Sequence, residues 1–261
     1  MESFTDPSRK HPPRILILGG TSEASELAAF LSPRTDLSVI SSLGGRVSQP
    51  ALPAGIVRVG GFGGVAGLIS YLVHENIAAV IDATHPYASK ISGNAESACT
   101  TLNIPLIAFE RPPWQPQEGD CWLSVRDVKA AALLVNQRDS RVFLSIGRQQ
   151  LGAFSGCKDA WFLVRAIDAP EERLPTNSKL ILARGPFHFE DEMQMLRSEA
   201  ISLIVSKNSG GTATYSKIEA GRMLGIPIVM LDRPRRHKAP TLARRDDVLL
   251  RLAELFQTTF D

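Results

Sequence analysis

An acid, a histidine, a tyrosine and a lysine lie within nine residues, directly after an apolar run that is typical of a buried strand. The segment begins at Asp82 and contains Thr84, His85, Tyr87 and Lys90. Histidine, tyrosine and lysine are the side chains best able to hand over a proton near neutral pH. Alternatively, His85 is a turn residue, because it directly precedes a proline. We predict that this cluster belongs to an active site, with His85 and Tyr87 as candidate catalytic groups.

Three loops in the second half of the chain each place a cation at the end of a strand-like run. Convergent cations favour an anionic ligand such as a polycarboxylate, although each one alone could be a solvated surface charge. Lys207 is also a candidate proton donor, and the glycines that follow it could offer successive N–H groups to an anion. We predict a substrate-binding rim formed by Arg148, Arg184, Lys207, Ser209, Gly210 and Gly211.

The first strand-like run, Arg14 to Leu18, leads straight into the turn Gly19-Gly20-Thr21. Glycines let the backbone approach a phosphate, and the first N–H groups of a following helix supply donors and a partial positive charge. The Gly-x-Gly-x-x-Gly fingerprint is incomplete here, so a plain tight turn is the alternative. Glu23 would repel a phosphate if it pointed inward, and we expect it to cap the helix or to face a ribose.

A second loop contains two serines, two glycines and an arginine at 41–46. NAD-specific proteins usually carry an acidic residue at this place, which holds the adenosine ribose. A guanidinium beside hydroxyl groups suits a 2′-phosphate instead, because arginine makes planar, bidentate contacts. The loop therefore predicts NADPH rather than NADH, with an ordinary exposed arginine as the alternative. The predicted cofactor-binding residues are Gly19, Gly20, Thr21, Ser42, Gly44, Gly45, Arg46 and, near the nicotinamide, Thr84.

Short β-rich runs alternate with helical patterns along the chain, which is typical of parallel βαβ units. The pattern predicts strands at 14–18, 37–41, 56–59, 78–82, 105–109, 141–146, 161–166, 180–183, 201–206 and 227–231. It predicts helices at 24–31, 65–74, 89–102, 190–198 and 215–224.

We therefore predict an α/β protein with two tandem Rossmann-like lobes, parallel sheets and a ligand cleft between the lobes. A proline-rich segment at 111–116 separates an NADPH-binding lobe, 14–113, from a substrate-binding lobe, 114–261. A helix near 125–135 could pack on either lobe. The polar segment 1–13, which holds three prolines, is predicted to be a flexible arm and not a signal peptide.

The second lobe repeats the first. The strand that begins at Arg14 resembles one that begins at Arg141, and Ser89-Lys-Ile recurs at Ser216, both 127 positions later. Ile104-Pro recurs at Ile226-Pro after 122 positions, and Asp127-Val recurs at Asp247-Val after 120. These echoes appear in chain order, so they indicate one architecture used twice rather than chance similarity between strands.

The bulk properties restrict the class of protein. A chain of 261 residues with 44% hydrophobic residues can bury a full core, and a net charge of +2 gives no support to a nucleic-acid partner. Three widely spaced cysteines and histidines without ligand spacing predict neither a disulfide framework nor a metal site. No apolar run is long enough to span a bilayer, so we expect a cytoplasmic protein. The oligomeric state stays open, and the sequence is compatible with a monomer. The cationic stretch Arg233 to Lys238 is expected to be a solvated loop.

Taken together, these loops resemble the precorrin-6A reductase family of cobalamin biosynthesis. The resemblance covers nearly the whole chain after the first dozen residues. It rests on the motifs at 17–21, 42–46, 82–88, 110–112, 147–148, 184–187 and 207–211. The runs at 82–88 and 207–211 are specific in combination, whereas a strand that ends in Gly-Gly-Thr is not.

The resemblance implies a two-lobed enzyme that transfers a hydride from NADPH to the macrocycle of precorrin-6A and gives a dihydro product. A tetrapyrrole with many acetate and propionate groups also fits the cationic rim predicted from the residues alone. Reduction of the cobalt-containing counterpart in the anaerobic branch is the first alternative. A non-redox two-lobed tetrapyrrole enzyme and a non-enzymatic NADPH sensor are the others.

Overall fold

The computed structural model describes residues 12–45, 47–137, 139–171, 173–236 and 241–260. The chain forms two compact units, of which the first comprises Met1–Arg111 with Pro234–Asp261 and the second comprises Pro112–Arg233. Each unit contains one parallel sheet flanked by helices, so the predicted α/β fold with two Rossmann-like lobes is confirmed. Most of the predicted arm, residues 1–11, lies outside the described part of the chain.

The first unit has a five-stranded parallel sheet in the order β3-β2-β1-β4-β5. Its strands are β1 (Arg14–Leu18), β2 (Ser38–Leu43), β3 (Ile56–Val59), β4 (Ile77–Asp82) and β5 (Leu106–Ala108). Its helices are α1 (Ser22–Leu31), α2 (Val65–His74), α3 (Ser89–Leu102) and, from the end of the chain, α7 (Arg245–Phe256). All five predicted strands of this unit are present, with shifts of one or two residues at some ends.

Alternate residues of the central strand β1 pack on opposite faces of the sheet, as the pleat requires. On one face, Ile15 belongs to a buried cluster with Leu27 of α1 and Leu252 of α7. On the other face, Leu16 packs in a cluster with Leu68 of α2. Both faces of the sheet are therefore covered, which explains why β1 is apolar throughout after Arg14.

The second unit has a six-stranded parallel sheet in the order β6-β11-β10-β7-β8-β9. Its strands are β6 (Trp122–Val125), β7 (Arg141–Ser145), β8 (Trp161–Ala166), β9 (Ser178–Leu182), β10 (Leu203–Lys207) and β11 (Ile228–Leu231). Its helices are α4 (Val128–Asn136), a 3-10 helix (Arg148–Phe154), α5 (Phe189–Ser198) and α6 (Ser216–Met223). Strand β6 was not predicted, because it is only four residues long and lies between the proline-rich segment and the turn before α4.

The two sheets use the same strand order, in agreement with the internal repeat. In each sheet, the segment at one edge comes from the other repeat. Strand β6 follows β5 in the chain, yet it pairs with β11. Leu242, 120 positions after Trp122, follows β11 but makes a parallel bridge to Phe109, directly after β5. The helix after each of these segments stays with it, so α4 belongs to the second unit and α7 to the first.

This exchange alters the predicted domain organisation. Residues 234–261 belong to the first unit, whereas a contiguous second lobe of 114–261 was expected from the sequence. Sequence patterns alone cannot reveal the crossing, because they assign each strand to the sheet of its chain neighbours. No helix in the described ranges is long and apolar enough to cross a membrane.

Candidate functional site

Four loops follow neighbouring strands of the first sheet, and because the strands are parallel these loops share one edge. Backbone hydrogen bonds join adjacent loops along that edge. The Gly19 N–H donates to the Ser42 carbonyl at 2.9 Å, and the Gly60 N–H donates to the Leu43 carbonyl at 2.9 Å. The predicted cofactor loops and the predicted catalytic loop are thus neighbours in the first unit.

The turn after β1 has open space beside its second glycine. Gly20 has a φ of 107°, and a Cβ there would meet nothing within 4 Å. Thr21 is the N-cap of α1, and its hydroxyl accepts from the Ala24 N–H at 3.2 Å. The same hydroxyl donates to the Ala83 carbonyl at 2.8 Å. Thr21 therefore ties the glycine turn to the loop after β4, and any role in holding a cofactor falls to its backbone.

Glu23 forms an ion pair in the first turn of α1. Its carboxylate lies 2.7 Å from the guanidinium of Arg111, and both side chains are largely buried. Thr21, and not Glu23, caps the helix, which removes the first of the two roles predicted for Glu23, and a contact with a ribose stays a prediction. Arg111 offsets the negative charge that would otherwise oppose a phosphate at the positive end of α1.

Arg58, which was not predicted as a site residue, organises the loops after β2 and β3. Its Nη1 donates to the Ser42 hydroxyl at 2.8 Å and to the Gly60 carbonyl at 2.9 Å. Its guanidinium lies 3.9 Å from the centroid of the Phe62 ring, a cation–π contact. The only sequence signal for this role is an arginine two residues before a glycine-rich run. Arg46 lies outside the described residues.

The glycines of this edge leave room for a ligand. Added Cβ atoms at Gly60, Gly61, Gly63 or Gly64 would meet nothing within 4 Å. Gly44 and Gly45 are exposed. Open glycine loops, a helix N-terminus and the Arg58 guanidinium together fit the phosphates of a dinucleotide.

Asp82 and Thr84 shape the loop after β4 from within. The buried Asp82 carboxylate accepts from the Thr84 hydroxyl at 2.6 Å and from the Thr84 N–H at 3.0 Å. Both residues are inaccessible to solvent or nearly so. Since both the hydroxyl and the N–H of Thr84 are bonded to protein groups, the cofactor contact predicted for Thr84 would have to use its carbonyl oxygen.

His85 and Tyr87 are half-buried side chains at the tip of the same loop. Their ring centroids are 5.8 Å apart, with an interplanar angle of 41°. The Tyr87 N–H donates to His85 Nδ1 at 3.3 Å. When Nδ1 accepts a hydrogen bond, the neutral imidazole carries its proton on Nε2. Lys90 is exposed in the first turn of α3, so the proton-transfer candidates of this loop are His85 and Tyr87.

In the second unit, the predicted cations follow strands of one parallel sheet and therefore share its carboxyl edge. Arg148 follows β7, Arg184 follows β9 and Lys207 ends β10. Arg148 Nη1 donates to the Ala169 carbonyl at 3.3 Å, and Arg184 is exposed. Three cations on one edge support the expectation of an anion-binding rim.

The loop after Lys207 also holds neighbouring segments of the chain in place, a role that the sequence did not suggest. The Asn208 side chain accepts from the Trp114 N–H at 2.7 Å and donates to the Trp114 carbonyl at 3.0 Å. The Trp114 indole donates to the Gly211 carbonyl at 2.7 Å. A Cβ at Gly210 would collide with the Pro112 carbonyl and with Arg233. The loop therefore anchors both points at which the chain passes between units, besides its predicted role at Ser209 to Gly211.

The second unit also contains a buried charged cluster, formed by Arg165, Glu192 and Lys217. Arg165 pairs with Glu192 through its two terminal nitrogens, and its guanidinium lies 3.6 Å from the centroid of the Phe187 ring. Lys217 Nζ donates to the Thr214 carbonyl at 2.7 Å. The cluster thus contacts the segments that follow Arg184 and Gly211. Nothing in the sequence predicted that these charged residues of β8, α5 and α6 would be buried together.

We expect Lys217→Met to raise the free energy of unfolding at pH 7 and below. Desolvation, assisted by the charge of Arg165, lowers the pKa of Lys217 from 10.5 to about 7. The unfolded chain therefore binds a proton more readily, and this destabilisation is full below about pH 7 and disappears as the pH rises towards 10.5. Each tenfold loss of proton affinity on folding costs about 1.4 kcal/mol, so the gain from the substitution should be a few kcal/mol. Glu192 keeps its partner in the variant, because it pairs with Arg165.

Urea unfolding at several pH values measures this gain. Lys179→Met, at an exposed lysine of β9, is the control and should show little pH dependence relative to the unaltered chain. A gain from Lys217→Met that stays constant between pH 7 and 10 would contradict the assignment.

Two parallel sheets with glycine-rich and cationic loops at their carboxyl edges define a two-unit Rossmann-like α/β protein. The family model described as "Precorrin-6x reductase CbiJ/CobK" matches residues 14–253. The chain belongs to this family, and the predicted oxidoreductase activity is confirmed. A reductase of this kind is consistent with a nicotinamide cofactor and a small-molecule precorrin substrate.

The relatives extend over both units. A precorrin-6A reductase of Rhodococcus erythropolis is 47% identical over 221 residues, which is 85% of this chain and 89% of that one. Another, of a Sinorhizobium species, is 44% identical over 96% of this chain and 97% of that one. The solved structure named CobK precorrin-6A reductase has a TM-score of 0.88 and 42% identity, and covers 93% of this chain and 96% of its own. A cobalt-precorrin-6A reductase of Salmonella typhimurium is 25% identical over 84% of this chain and 87% of that one.

Proposed function

We propose that this chain reduces metal-free precorrin-6A with NADPH in cobalamin biosynthesis. The choice of substrate rests on the difference in sequence identity between two groups of relatives. Five relatives named precorrin-6A reductase are 44–47% identical to the chain. Three named cobalt-precorrin-6A reductase are 25–28% identical. The metal-free substrate is therefore favoured over its cobalt counterpart.

NADPH would be held along the carboxyl edge of the first sheet. The pyrophosphate is assigned to Gly19, Gly20 and Thr21, where the turn has open space and α1 begins. The 2′-phosphate is assigned to the second loop, with Arg46 as its main partner. Arg58, which orients the Ser42 hydroxyl, supports that loop. When bound, NADPH supplies the hydride, and the chain supplies position and charge.

Reduction of a carbon–carbon double bond also needs a proton at the neighbouring carbon. His85 is our first candidate, because its Nδ1 accepts from the Tyr87 N–H and leaves Nε2 as the proton-bearing atom. Tyr87, beside the same ring, is the second candidate, and Lys207 is the third. Solvent could serve in their place, in which case the loop only orients the substrate.

The carboxylates of the macrocycle are assigned to the rim of the second unit. Arg148, Arg184 and Lys207 provide three cations at one sheet edge, and arginine binds carboxylates through paired hydrogen bonds. Backbone N–H groups at Gly210 and Gly211 would add donors. The Ser209 N–H donates to the Lys207 carbonyl at 2.8 Å, so the substrate contact predicted for Ser209 would use its hydroxyl. The buried pair of Arg165 and Glu192 contacts this edge through the Phe187 ring, three residues after Arg184.

Turnover with each macrocycle tests the proposal. The purified chain is mixed with NADPH and either precorrin-6A or cobalt-precorrin-6A, and cofactor absorbance is followed together with the macrocycle spectrum. We expect both signals to change with precorrin-6A and much more slowly with the cobalt compound. NADPH binding without oxidation would favour a sensor, and a macrocycle change without oxidation would favour a non-redox enzyme. Faster turnover of the cobalt compound would overturn the choice of substrate.

A further inference from the structure

The sequence suggests that Arg236 is a solvated residue of a cationic loop, but its side chain is only 1% exposed. It lies three residues after the chain returns to the first unit at Arg233, and it reaches the loop after β4. The expectation that 233–238 is a solvated loop was therefore wrong at this residue. Arg233 is also engaged, since its Nε donates to the Asn208 carbonyl at 2.7 Å.

One end of the guanidinium joins the loop after β4 to helix α3. Nη1 donates to the Thr84 hydroxyl at 2.8 Å and to the Ser92 hydroxyl at 2.8 Å. It also lies 3.2 Å from the His85 carbonyl oxygen. A single nitrogen thus contacts the residue before His85, the backbone of His85 itself and the helix that follows.

The other end of the guanidinium is held by acidic groups. Nε donates to the Glu110 carboxylate at 3.0 Å, and Nη2 also bonds to that carboxylate. The Asp82 carboxylate lies 3.9 Å from Nη1. Glu110 follows β5, so Arg236 connects three segments of the unit at the edge where the cofactor loops lie. Its planar fork of donors is what allows contacts in several directions at once.

We propose that Arg236 is a positioning residue that sets the orientation of His85 and Tyr87 for the reaction. The chain of contacts runs from the guanidinium to the His85 carbonyl and Thr84 hydroxyl, and from His85 Nδ1 to the Tyr87 N–H. Loss of the guanidinium removes its bonds to the Thr84 hydroxyl and to the His85 carbonyl, which also accepts from the Ala88 N–H at 2.8 Å. We expect the remaining bonds to hold the loop less firmly, so that the atom that bears the proton loses its fixed direction. Small misplacements of reacting groups can cost about 100-fold in rate. This inference rests on the proposed function for its kinetic consequence, but not for its structural one.

The test compares Arg236→Ala and Arg236→Lys with Arg14→Ala. Arg14 belongs to the same unit and pairs with Glu75 at the opposite end of β1, so its loss reports on stability alone. For Arg236→Ala we expect kcat per folded molecule to fall about 100-fold, with the KM of NADPH changed by less than about threefold. Added guanidinium ion, below denaturing concentrations, should restore part of kcat.

The Arg236→Lys variant distinguishes a role of Arg236 in stability from a role in positioning. An ammonium can pair with Glu110 but cannot also hold Thr84 and Ser92, so Arg236→Lys should regain most of the melting temperature and little of kcat. If Arg236→Ala does not fold, the lysine variant alone decides between the two roles. A lysine variant with normal kcat, or an alanine variant that resembles Arg14→Ala, would overturn the inference.

A second measurement does not depend on turnover. The ring nitrogen signals of His85, assigned by comparison with His85→Gln, report in NMR which nitrogen bears the proton. We expect them to shift in the Arg236 variants and not in Arg14→Ala. Unchanged His85 signals would overturn the inference even if activity fell. If the unaltered chain does not oxidise NADPH with precorrin-6A, the proposed function fails, and the NMR result still decides the role of Arg236.

Discussion

Replacing Arg46 with alanine is expected to raise the KM for NADPH by roughly 10- to 100-fold and to leave the KM for NADH almost unchanged. NADPH differs from NADH by its 2′-phosphate, and hydrogen bonds to charged groups contribute about 1.5–3 kcal/mol, with tenfold in affinity for about every 1.4 kcal/mol. Steady-state kinetics with the two cofactors at saturating precorrin-6A measure the effect. An equal rise for both cofactors would refute the 2′-phosphate assignment.

Arg58→Gln is the matched control for this prediction. The Arg58 guanidinium bonds to Ser42 and Gly60. Its removal should therefore loosen the loops after β2 and β3 and weaken the binding of NADPH and NADH by similar factors. If Arg58→Gln instead discriminates against NADPH more strongly than Arg46→Ala, the phosphate partner is Arg58. The two variants together locate the 2′-phosphate on the edge of the first sheet.

A chain that ends at Arg233 should lose the fold of the first unit and keep that of the second. Helix α7 contributes Val248, Leu249 and Leu252, all buried, to the core cluster that includes Ile15. Burial of such side chains contributes about 1.5–3 kcal/mol each, so their loss approaches the 5–15 kcal/mol that stabilises a whole domain. Hydrogen exchange should show β1 unprotected in the shortened chain.

The second unit serves as the internal control, because Pro112–Arg233 is continuous and includes β6 and α4. Protection of β7 and β10 should survive the truncation. A fusion of 12–111 to 234–261 should restore protection of β1, since it restores α7. Full protection of β1 in the shortened chain would contradict the structural role of α7.

The strands and the cofactor edge could be predicted from sequence because they depend on local chemistry. An apolar run such as Ile15 to Leu18 has a preference for a buried parallel strand, and a glycine turn before a helix has few other uses. The internal repeat also predicted that the two lobes share one architecture, and equivalent strands do occupy equivalent places in both sheets. These features are encoded within a few residues or in their periodic recurrence.

What could not be predicted depends on contacts between distant segments. Arg236 lies among polar and charged neighbours in sequence, and only its contacts with Glu110 and Thr84 make it a buried residue. Arg165 and Lys217 are likewise charged residues within a strand and a helix, and the partner of Arg165 comes from another element. Neither case has a local signal, because long-range pairing alone offsets the cost of burying the charge.

The crossing of the chain between its units also fixes the order in which the protein can fold during synthesis. Domains usually fold from the amino terminus as they leave the ribosome. Here the second unit ends at Arg233, whereas the first unit needs α7 at Arg245–Phe256 to cover its sheet. The unit that is translated first is therefore the last to be completed. Until then, the apolar face of β1 is covered by α1 but not by α7, and this incomplete core depends on rapid completion of the chain or on a chaperone to avoid aggregation.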